Sequence, residues 1–301
     1  MEFDLRQIEA FITIVDHGGF GAASKVMGLS QAAVSERIAN LETSIGMRLL
    51  DRNAREIRTT AVGQRFYELA RQLLQQRDAI SLELAELAGV VRGTLNIGAS
   101  TIPGEYILPR LLPGFCMAHP AVELNIQIHD SARIIDDVLE GTLEAGIVGI
   151  ETSNKHLHSV QLWEDRLVLV VPRDHRLAAN HRVKIEELST EPFIMREQGS
   201  GTRRLMQQVM AERGVEPESV CITLSSTTAV KEAVICGLGV TLISRRAVEK
   251  ELGQGSLIEV ALQDLEFIRH FQLITSHGRT QSPLCRRFNQ YLIDCFHQGR
   301  D

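Results

Sequence analysis

The spacing of apolar positions near the start of the chain predicts three short helices. Apolar residues repeat at helical spacing over 5–15, and Gly18 ends that pattern. A second short helix ends at Gly28, and Ser30 can cap a third helix that Gly46 closes. Two short helices joined by a tight turn, with small residues where they cross, indicate a helix-turn-helix.

The third helix carries polar side chains in its first turn. In a helix-turn-helix, the second helix of the pair offers this turn to the major groove of DNA. Gln can form paired hydrogen bonds with adenine, and Ser can reach a base or a phosphate. We therefore expect base contacts from Gln31, Ser35 and Glu36, a backbone contact from Ser30, and close approach at Ala32.

Two short extended runs around residues 53–54 predict a hairpin, or wing, after the third helix. The hairpin would bring Arg52, Arg55 and Arg58 together, where they could meet a phosphate backbone or a minor groove. A small helical core with a solvated charged loop gives the same periodicity. Periodicity alone leaves both interpretations open.

A narrow apolar stripe at heptad-like spacing runs from residue 62 to residue 87. A long helix with so narrow a seam has little to pack on unless it pairs with another helix. The favoured interpretation is a dimerisation helix, and the alternative is a helix that lies on its own domain. The stripe consists of Val62, Phe66, Leu69, Leu73, Ile80, Leu84 and Leu87.

Beyond Gly93, short strands alternate with helices, which predicts an α/β region with mostly parallel sheets. Crossovers near 164–166 and 265–268 would divide it into two Rossmann-like subdomains with a cleft between them. Ligands of such sheets bind beyond the carboxyl ends of the strands. The predicted strands are 94–99, 122–129, 145–149, 167–171, 192–195, 220–224, 240–243 and 271–275, and the predicted helices are 134–139, 203–212, 228–236 and 283–296.

The loops expected at this cleft are rich in hydroxyl groups and glycine. Backbone N–H groups at helix N-termini, together with Ser and Thr hydroxyls, form a natural anion site. Ordinary helix capping explains any one of these loops, but four loops on one cleft favour a small anionic ligand. Arg203 could add charge or lie on the surface. The candidate ligand-binding residues are Ser100, Thr101, Ile102, Ser131, Gly149, Ser200, Gly201, Thr202 and Ser226.

The N-terminal region contains the motifs Phe20-x-Ala22-Ala23, Leu29-Ser30-Gln31-x-Ala33-Val34-Ser35, Ile38-x-x-Leu41-Glu42, Ile45-Gly46-x-x-Leu49-Leu50-x-Arg52 and Thr60-x-x-Gly63. These motifs resemble those of the LysR-type transcriptional regulators, and the chain length and downstream architecture agree. Residues 100–106 with 199–203 look most like the branch that regulates sulfur or selenium metabolism. Gly21, Ala32 and Glu36 depart from the family pattern, and the Glu36 carboxylate affects the expected operator sequence.

The resemblance implies an all-α winged helix-turn-helix domain over 1–59 and a linker helix used for dimerisation over 60–89. It also implies a periplasmic-binding-protein-like α/β effector domain over 93–301. One subdomain would take about 93–164 and 268–301, and the other about 165–267. The implied partners are double-stranded promoter DNA with an interrupted inverted repeat, a small effector, further copies of the chain in a dimer or tetramer, and RNA polymerase.

Composition narrows the function classes. With 44% hydrophobic and 23% charged residues, the chain is not of the disordered class. No apolar run reaches the roughly 18 to 20 residues of a membrane span, and the N-terminus lacks the basic region of a signal peptide. The five cysteines form no C-x-x-C pair, which is typical of a reducing compartment. We expect a cytoplasmic protein without membrane contact, metal or cofactor.

The net charge of −6 argues against nucleic-acid binding until it is divided along the chain. Residues 37–65 carry six arginines against three acidic residues, whereas residues 66–301 account for the whole net negative charge. The predicted wing is therefore locally basic. So modest a basic patch predicts weak nonspecific DNA affinity and a specificity that depends on paired half-sites.

Three other functions compete with a regulator. An enzyme or a cytosolic small-molecule-binding protein could use the cleft, but the sequence completes no phosphate-loop, nucleophile-elbow or zincin motif, and we assign no catalytic residue. A thiol sensor is disfavoured, because Cys285 and Cys295 lie about 15 Å apart along one predicted helix. A solute-binding module without DNA conflicts with the N-terminal motifs.

Overall fold

The computed structural model describes residues 3–51, 57–87, 92–179, 182–215, 220–263 and 265–301. The chain forms two compact units, Met1–Leu84 and Ala85–Asp301, and hydrophobic clusters lie within each of them. Within the described ranges, no helix is both long and apolar enough to cross a membrane.

The N-terminal unit confirms the three predicted helices. Asp4 caps α1 by accepting from the Gln7 backbone N–H at 2.9 Å, and Gly18 ends the helix in the left-handed conformation at φ 72°. Buried residues of all three helices share one core that contains Phe11 and Leu41. The helices are α1 Leu5–His17, α2 Phe20–Met27, α3 Gln31–Ile45 and α4 Ala61–Leu87.

The predicted hairpin is present as a two-residue antiparallel ladder between β1 Leu50–Asp51 and β2 Arg58–Thr59. Thr60 caps the following helix α4, because its hydroxyl accepts from the Gly63 N–H at 2.9 Å and donates to the Arg48 carbonyl at 2.8 Å. A Cβ on Gly63 would lie 2.0 Å from the Leu49 carbonyl oxygen. The Thr60-x-x-Gly63 motif therefore fastens the start of α4 against the first wing strand.

The C-terminal unit is an α/β domain. Its strands are β3 Gly93–Ser100, β4 Val122–His129, β5 Ala145–Val148, β6 Leu157–Pro172, β7 Arg182–Val183, β8 Phe193–Arg196, β9 Val220–Leu224, β10 Thr241–Ser244, β11 Leu257–Leu262 and β12 Phe267–Ser276. Its helices are α5 Leu108–Ala118, α6 Ser131–Glu140, α7 Gly201–Glu212, α8 Thr227–Ile235, α9 Arg245–Gln254 and α10 Pro283–His297, with a π-helical turn at Pro103–Ile107 and 3₁₀ turns at Arg176–Ala179 and Ile185–Leu188.

The larger sheet has the strand order β4-β3-β5-β12-β6-β11-β7, with β10 also paired to β6, and β8 and β9 form a second, parallel sheet. The expectation of mostly parallel pairing is wrong at the centre of the larger sheet. There β12 pairs antiparallel with both β5 and β6, and β6 pairs antiparallel with β10 and β11. Strands β12 and β6 lie between two halves of the domain, one with β3, β4 and β5 and the other with β7, β10 and β11. Because β12 and β6 run in opposite directions, they cannot match the direction of every strand beside them.

The sequence pattern also missed several elements. Only the last third of β6 was predicted, because its first part alternates buried with exposed residues and carries charges, whereas 167–171 is continuously apolar. Strand β11 and helices α5 and α9 were not predicted. One buried cluster joins residues from both halves of the domain, among them Trp163, Val230 and Phe271, so the two halves share a core.

Candidate functional site

The first turn of α3 forms an exposed polar face on the N-terminal unit. The Ser30 hydroxyl accepts from the Ala33 N–H at 3.2 Å and fixes the start of the helix. Gln31, Ala32 and Glu36 are exposed and Ser35 is half-buried, while the apolar side of the helix faces the core. Because its apolar side packs on the core, α3 can place its exposed first turn in a groove of DNA.

The wing contributes one described cation to this unit. Arg58 is exposed on β2, directly opposite Asp51 in the ladder. Arg52 and Arg55, which the sequence also predicts for DNA contact, lie outside the described residues.

A small cavity in the C-terminal unit collects most of the predicted ligand-binding residues. Five segments converge there: the ends of β3 and β4, the start of α7, and the two strands β8 and β12. The free space among them measures about 10 Å³, which is about the room for one water molecule. The lining residues are Ser100, Thr101, Ile102, Asp130, Ser131, Arg196, Ser200, Gly201, Thr202 and Arg269. We call this cavity the cleft site.

Two predicted residues lie outside the lining of the cleft site. Ser226 is exposed and caps α8, since its hydroxyl accepts from the Ala229 N–H at 3.3 Å. The next residue, Thr227, is the one that reaches the site, through Arg196. Gly149 supports the site from behind, because its N–H donates to the Ser131 hydroxyl at 3.3 Å.

Two glycines let the loop before α7 approach the opposite wall of the cleft site. A Cβ on Gly199 would lie 2.2 Å from Asp130 Oδ1, and a Cβ on Gly201 would lie 2.7 Å from the Gly149 carbonyl oxygen. The Gly199 carbonyl accepts from the Ala132 N–H at 3.3 Å, so a backbone hydrogen bond spans the site. The small free volume follows from this close approach.

The N-terminus of α7 is directed at the cleft site without a side-chain cap. Ser200 takes the N-cap position, but its hydroxyl makes no capping hydrogen bond. Ser200, Gly201 and Thr202 are all buried there. Uncapped N–H groups at a helix N-terminus favour an anion, because they are free hydrogen-bond donors and carry the partial positive charge of the helix dipole.

Arg196 is the cleft-site cation that the sequence analysis missed. Its Nε and Nη2 donate to the two carboxylate oxygens of Glu197 at 2.7 Å each, and Nη1 donates to the Thr227 hydroxyl at 2.5 Å. Nη2 also donates to the Thr101 hydroxyl at 3.3 Å. Arg196 is the last residue of β8, and the sequence pattern predicts this segment only as an apolar strand. The contact between its side chain and Thr101 depends on the topology of the domain.

A second missed cation, Arg269, reaches the cleft site from β12. It lies opposite Asp165 of β6, and its Nε and Nη2 donate to Asp165 Oδ2 at 2.9 and 2.7 Å. The Ser244 hydroxyl donates to the other carboxylate oxygen at 2.6 Å. All three residues are buried. The strands that connect the two halves of the domain are thus tied together by an ion pair at one wall of the cleft site.

The π-helical turn that follows Thr101 and Ile102 carries two side chains, Glu105 and Tyr106, whose pKa values are raised. Burial raises the pKa of Glu105, although Arg196 and Lys231 partly offset this effect. Burial also raises the pKa of Tyr106, whose ring lies 5.8 Å from Lys231 Nζ. π-Helical turns occur often at functional sites, and this one bridges the cleft site and α8.

Comparison with known proteins gives matches along almost the whole chain. Residues 5–64 match the model for the bacterial regulatory helix-turn-helix of the lysR family, and residues 88–296 match the LysR substrate binding domain. A probable RuBisCO transcriptional regulator from Cyanidioschyzon merolae is 31% identical over 299 residues, with 98% of this chain and 99% of the relative covered.

Solved structures that are similar in fold include a full-length protein and an isolated regulatory domain. Full-length CbnR, solved with its target DNA, is 21% identical with a TM-score of 0.70, covering 97% of this chain and 99% of that one. The regulatory domain of CcmR from Synechocystis, solved with 2-PG, is 26% identical with a TM-score of 0.63, covering 68% of this chain and 98% of that domain.

Proposed function

The chain belongs to the LysR family of DNA-binding transcriptional regulators with an effector-binding domain, and on that premise we propose how its residues perform both tasks. A dimer binds an interrupted inverted repeat through the first turn of α3. A small anionic effector binds in the cleft site and changes the assembly on DNA.

The effector proposal depends most on one observation, which is that hydroxyl groups and a cation from separate elements meet in one cavity. Thr101, Ser131 and Thr202 come from three different segments, and Arg196 comes from a fourth. Capping alone does not explain this convergence, since the Ser200 hydroxyl caps nothing. Backbone N–H groups, hydroxyls and guanidinium groups together suit an oxyanion. The CcmR domain with 2-PG offers a precedent for a small ligand in this domain type.

Control by the effector follows from the contacts that span the cleft site. The Arg196–Thr101 and Ala132–Gly199 hydrogen bonds favour the closed arrangement, and the free volume holds about one water molecule. An effector larger than a water molecule must widen the site and replace some of these contacts. It therefore has different affinities for the open and closed arrangements, which is the requirement for shifting their populations.

Dimerisation through α4 is supported by a row of uncovered apolar side chains. Within the N-terminal unit, five positions of the predicted stripe are between 40% and 62% exposed, whereas Phe66 packs against Phe11. A two-helix seam would cover this row. The exposed positions are Val62, Leu69, Leu73, Ile80 and Leu84.

The contacts to DNA bases come from Gln31, Ser35 and Glu36. The contacts to the DNA backbone or the minor groove come from Ser30 and from the wing arginines Arg52, Arg55 and Arg58. CbnR, which has been solved with its target DNA, shares the fold. The proposal includes a cytoplasmic location, assembly to a dimer or tetramer, RNA polymerase as a further partner, and no catalytic activity. The effector class is an oxyanion of sulfur, selenium or carbon metabolism.

A thermal-shift screen with the full-length protein tests the effector proposal. The panel consists of sulfate, thiosulfate, selenate, 2-PG and small carboxylates. A bound effector raises the melting temperature of the wild type, because it stabilises the folded state alone. Thr101→Ala and Thr202→Ala should lose that rise, and the exposed Thr190→Val control should keep it. A rise that survives both cleft substitutions would contradict the proposal.

A further inference from the structure

A second cavity adjoins the cleft site and exceeds it greatly in size. Gly201 and Arg269 line both cavities, and the second one extends from them along α7. Its volume is about 470 Å³, which is in the range typical of small-molecule sites. We call it the lateral pocket.

Two walls of the lateral pocket are formed by regular elements and the third by a loop. On α7, Gly201, Arg204 and Leu205 follow the spacing of one helix face, and on β12, Ile268 and Gln272 lie on the same side of the strand. Residues 149–153, the loop that follows β5, form the third wall. A helix and a strand of the domain therefore frame the pocket.

The lateral pocket holds one cation and one anion that lack ion-pair partners. Arg204 and Glu151 are both exposed, and within the described part of the chain neither forms an ion pair. Two other basic side chains at this wall do have acidic neighbours: Arg269 is paired with Asp165, and His270 Nε2 lies 3.7 Å from Glu164. The pocket thus offers a ligand one guanidinium and one carboxylate.

A polar acceptor and an apolar surface complete the lateral pocket. Gln272 Oε1 is buried and has no hydrogen-bond partner, which is unfavourable unless a donor approaches. Ile150, Leu205 and Ile268 supply aliphatic surface, and Ile268 is 39% exposed. A ligand with an anionic end, a cationic donor and an aliphatic group matches these three features.

From this arrangement we infer that the lateral pocket binds a free aliphatic α-amino acid. The amino-acid carboxylate pairs with Arg204, and the ammonium group pairs with Glu151 and can also donate to Gln272. The aliphatic side chain lies against Ile150, Leu205 and Ile268. This site is additional to the effector site of the proposed function. Because its walls come from both sides of the Gly149–Gly201 approach, an occupant is coupled to the closure of the cleft site.

Calorimetric titration of the full-length protein with L-leucine tests the inference. The wild type should bind L-leucine, and Arg204→Gln and Glu151→Gln should each weaken binding about tenfold or more, since each removes a charge-assisted hydrogen bond. Arg110→Gln, an exposed arginine on α5, is the matched control and should bind as the wild type does. Thr101→Ala should also retain binding, which separates the lateral pocket from the cleft site.

Two leucine analogues assign the two charges. Leucinamide lacks the carboxylate, so it should bind the wild type about tenfold more weakly and show no further loss in Arg204→Gln. 4-Methylpentanoate lacks the amino group, and Glu151→Gln should not weaken it further. Absence of leucine binding, or binding that survives both charge substitutions, would overturn the inference. So would binding that Thr101→Ala abolishes and Arg204→Gln does not.

Discussion

Arg269 and Asp165 are direct cross-strand partners on β12 and β6, and both are buried. The guanidinium donates twice to Asp165 Oδ2, at 2.9 and 2.7 Å, and it also lines the cleft site and the lateral pocket. One ion pair therefore ties the long strands together and borders both cavities. A ligand in either cavity lies beside the connection between the two halves of the domain.

Removing the cation of this pair should be costly. Arg269→Met leaves the Asp165 carboxylate buried with only the Ser244 hydroxyl, so we expect the free energy of unfolding to fall by about 3–5 kcal/mol. The exposed Arg245–Glu259 pair provides the control, and Arg245→Gln should change stability by less than about 1 kcal/mol. Denaturant titration measures both values. Similar effects of the two substitutions would show that the buried pair does not hold the strands.

The close approach at Gly201 predicts opposite results for two helical glycines. In Gly201→Ala the new Cβ would lie 2.7 Å from the Gly149 carbonyl oxygen, so we expect a loss of about 1–3 kcal/mol. Around Gly253 on α9 nothing lies within 4 Å of the new Cβ. Gly253→Ala should therefore stabilise the protein by about 0.4–1 kcal/mol. Denaturant midpoints give the comparison, and a neutral Gly201→Ala would contradict the steric account of closure.

The Lys231–Glu251 pair predicts an acid-dependent part of the stability. Burial raises the pKa of Glu251, but several effects together outweigh it and hold the pKa below its ordinary value: the hydrogen bond from Lys231 at 2.8 Å, a backbone hydrogen bond, and the positive charges of Lys231 and Lys250. The resulting stabilisation is present above the ordinary carboxyl pKa of 4.5 and is lost as the pH falls through the lower folded value.

The unfolding free energies of the wild type and Glu251→Gln should therefore converge as the pH falls from about 6 to about 3. Glu249→Gln, which alters a more exposed acid on the same helix, is the matched control for the loss of a carboxylate. If the difference in unfolding free energy between the wild type and Glu251→Gln stays constant over this pH range, the pair does not stabilise the fold.

Thiol reactivity separates the cysteines into two groups. Cys285 and Cys295 are buried, and burial raises the pKa of the Cys285 thiol far above its ordinary value, whereas Cys116, Cys221 and Cys236 are exposed. Because the thiolate is the reactive form, a chromogenic disulfide should titrate three thiols in the native protein and five after denaturation. Rapid native reaction of Cys285 or Cys295 would favour a thiol sensor after all.

The sequence predicts those features that local pattern determines. Helices α1 to α3 follow from apolar periodicity and glycine stops, and the Ser30 cap was visible in the sequence. Hydroxyl-rich loops at predicted strand ends identified Thr101 and Thr202 as cleft residues, because the ends of parallel strands meet at one edge. The boundaries proposed between the subdomains stay predictions.

Features that depend on long-range pairing could not be predicted. Arg196 and Arg269 read as strand residues, and their roles arise only when β8 and β12 bring them to Thr101 and Asp165. The sequence predicts Ser226 as a ligand-binding residue, but its hydroxyl caps α8, and the neighbouring Thr227 contacts Arg196 instead. The lateral pocket combines a helix face, a strand face and a loop, which no sequence window contains.

DNA selection tests the central claim most directly. Full-length protein is used to enrich random duplexes, and the affinity for the enriched sequence is then measured for the wild type, Gln31→Ala and Thr43→Ala. Thr43 is an exposed residue near the end of α3, about 18 Å along the helix from Gln31. We predict an interrupted inverted repeat, a loss of affinity of about tenfold in Gln31→Ala, corresponding to about 1.4 kcal/mol, and no loss in Thr43→Ala. Enrichment of no common sequence, or equal affinities of the wild type and Gln31→Ala, would contradict the account.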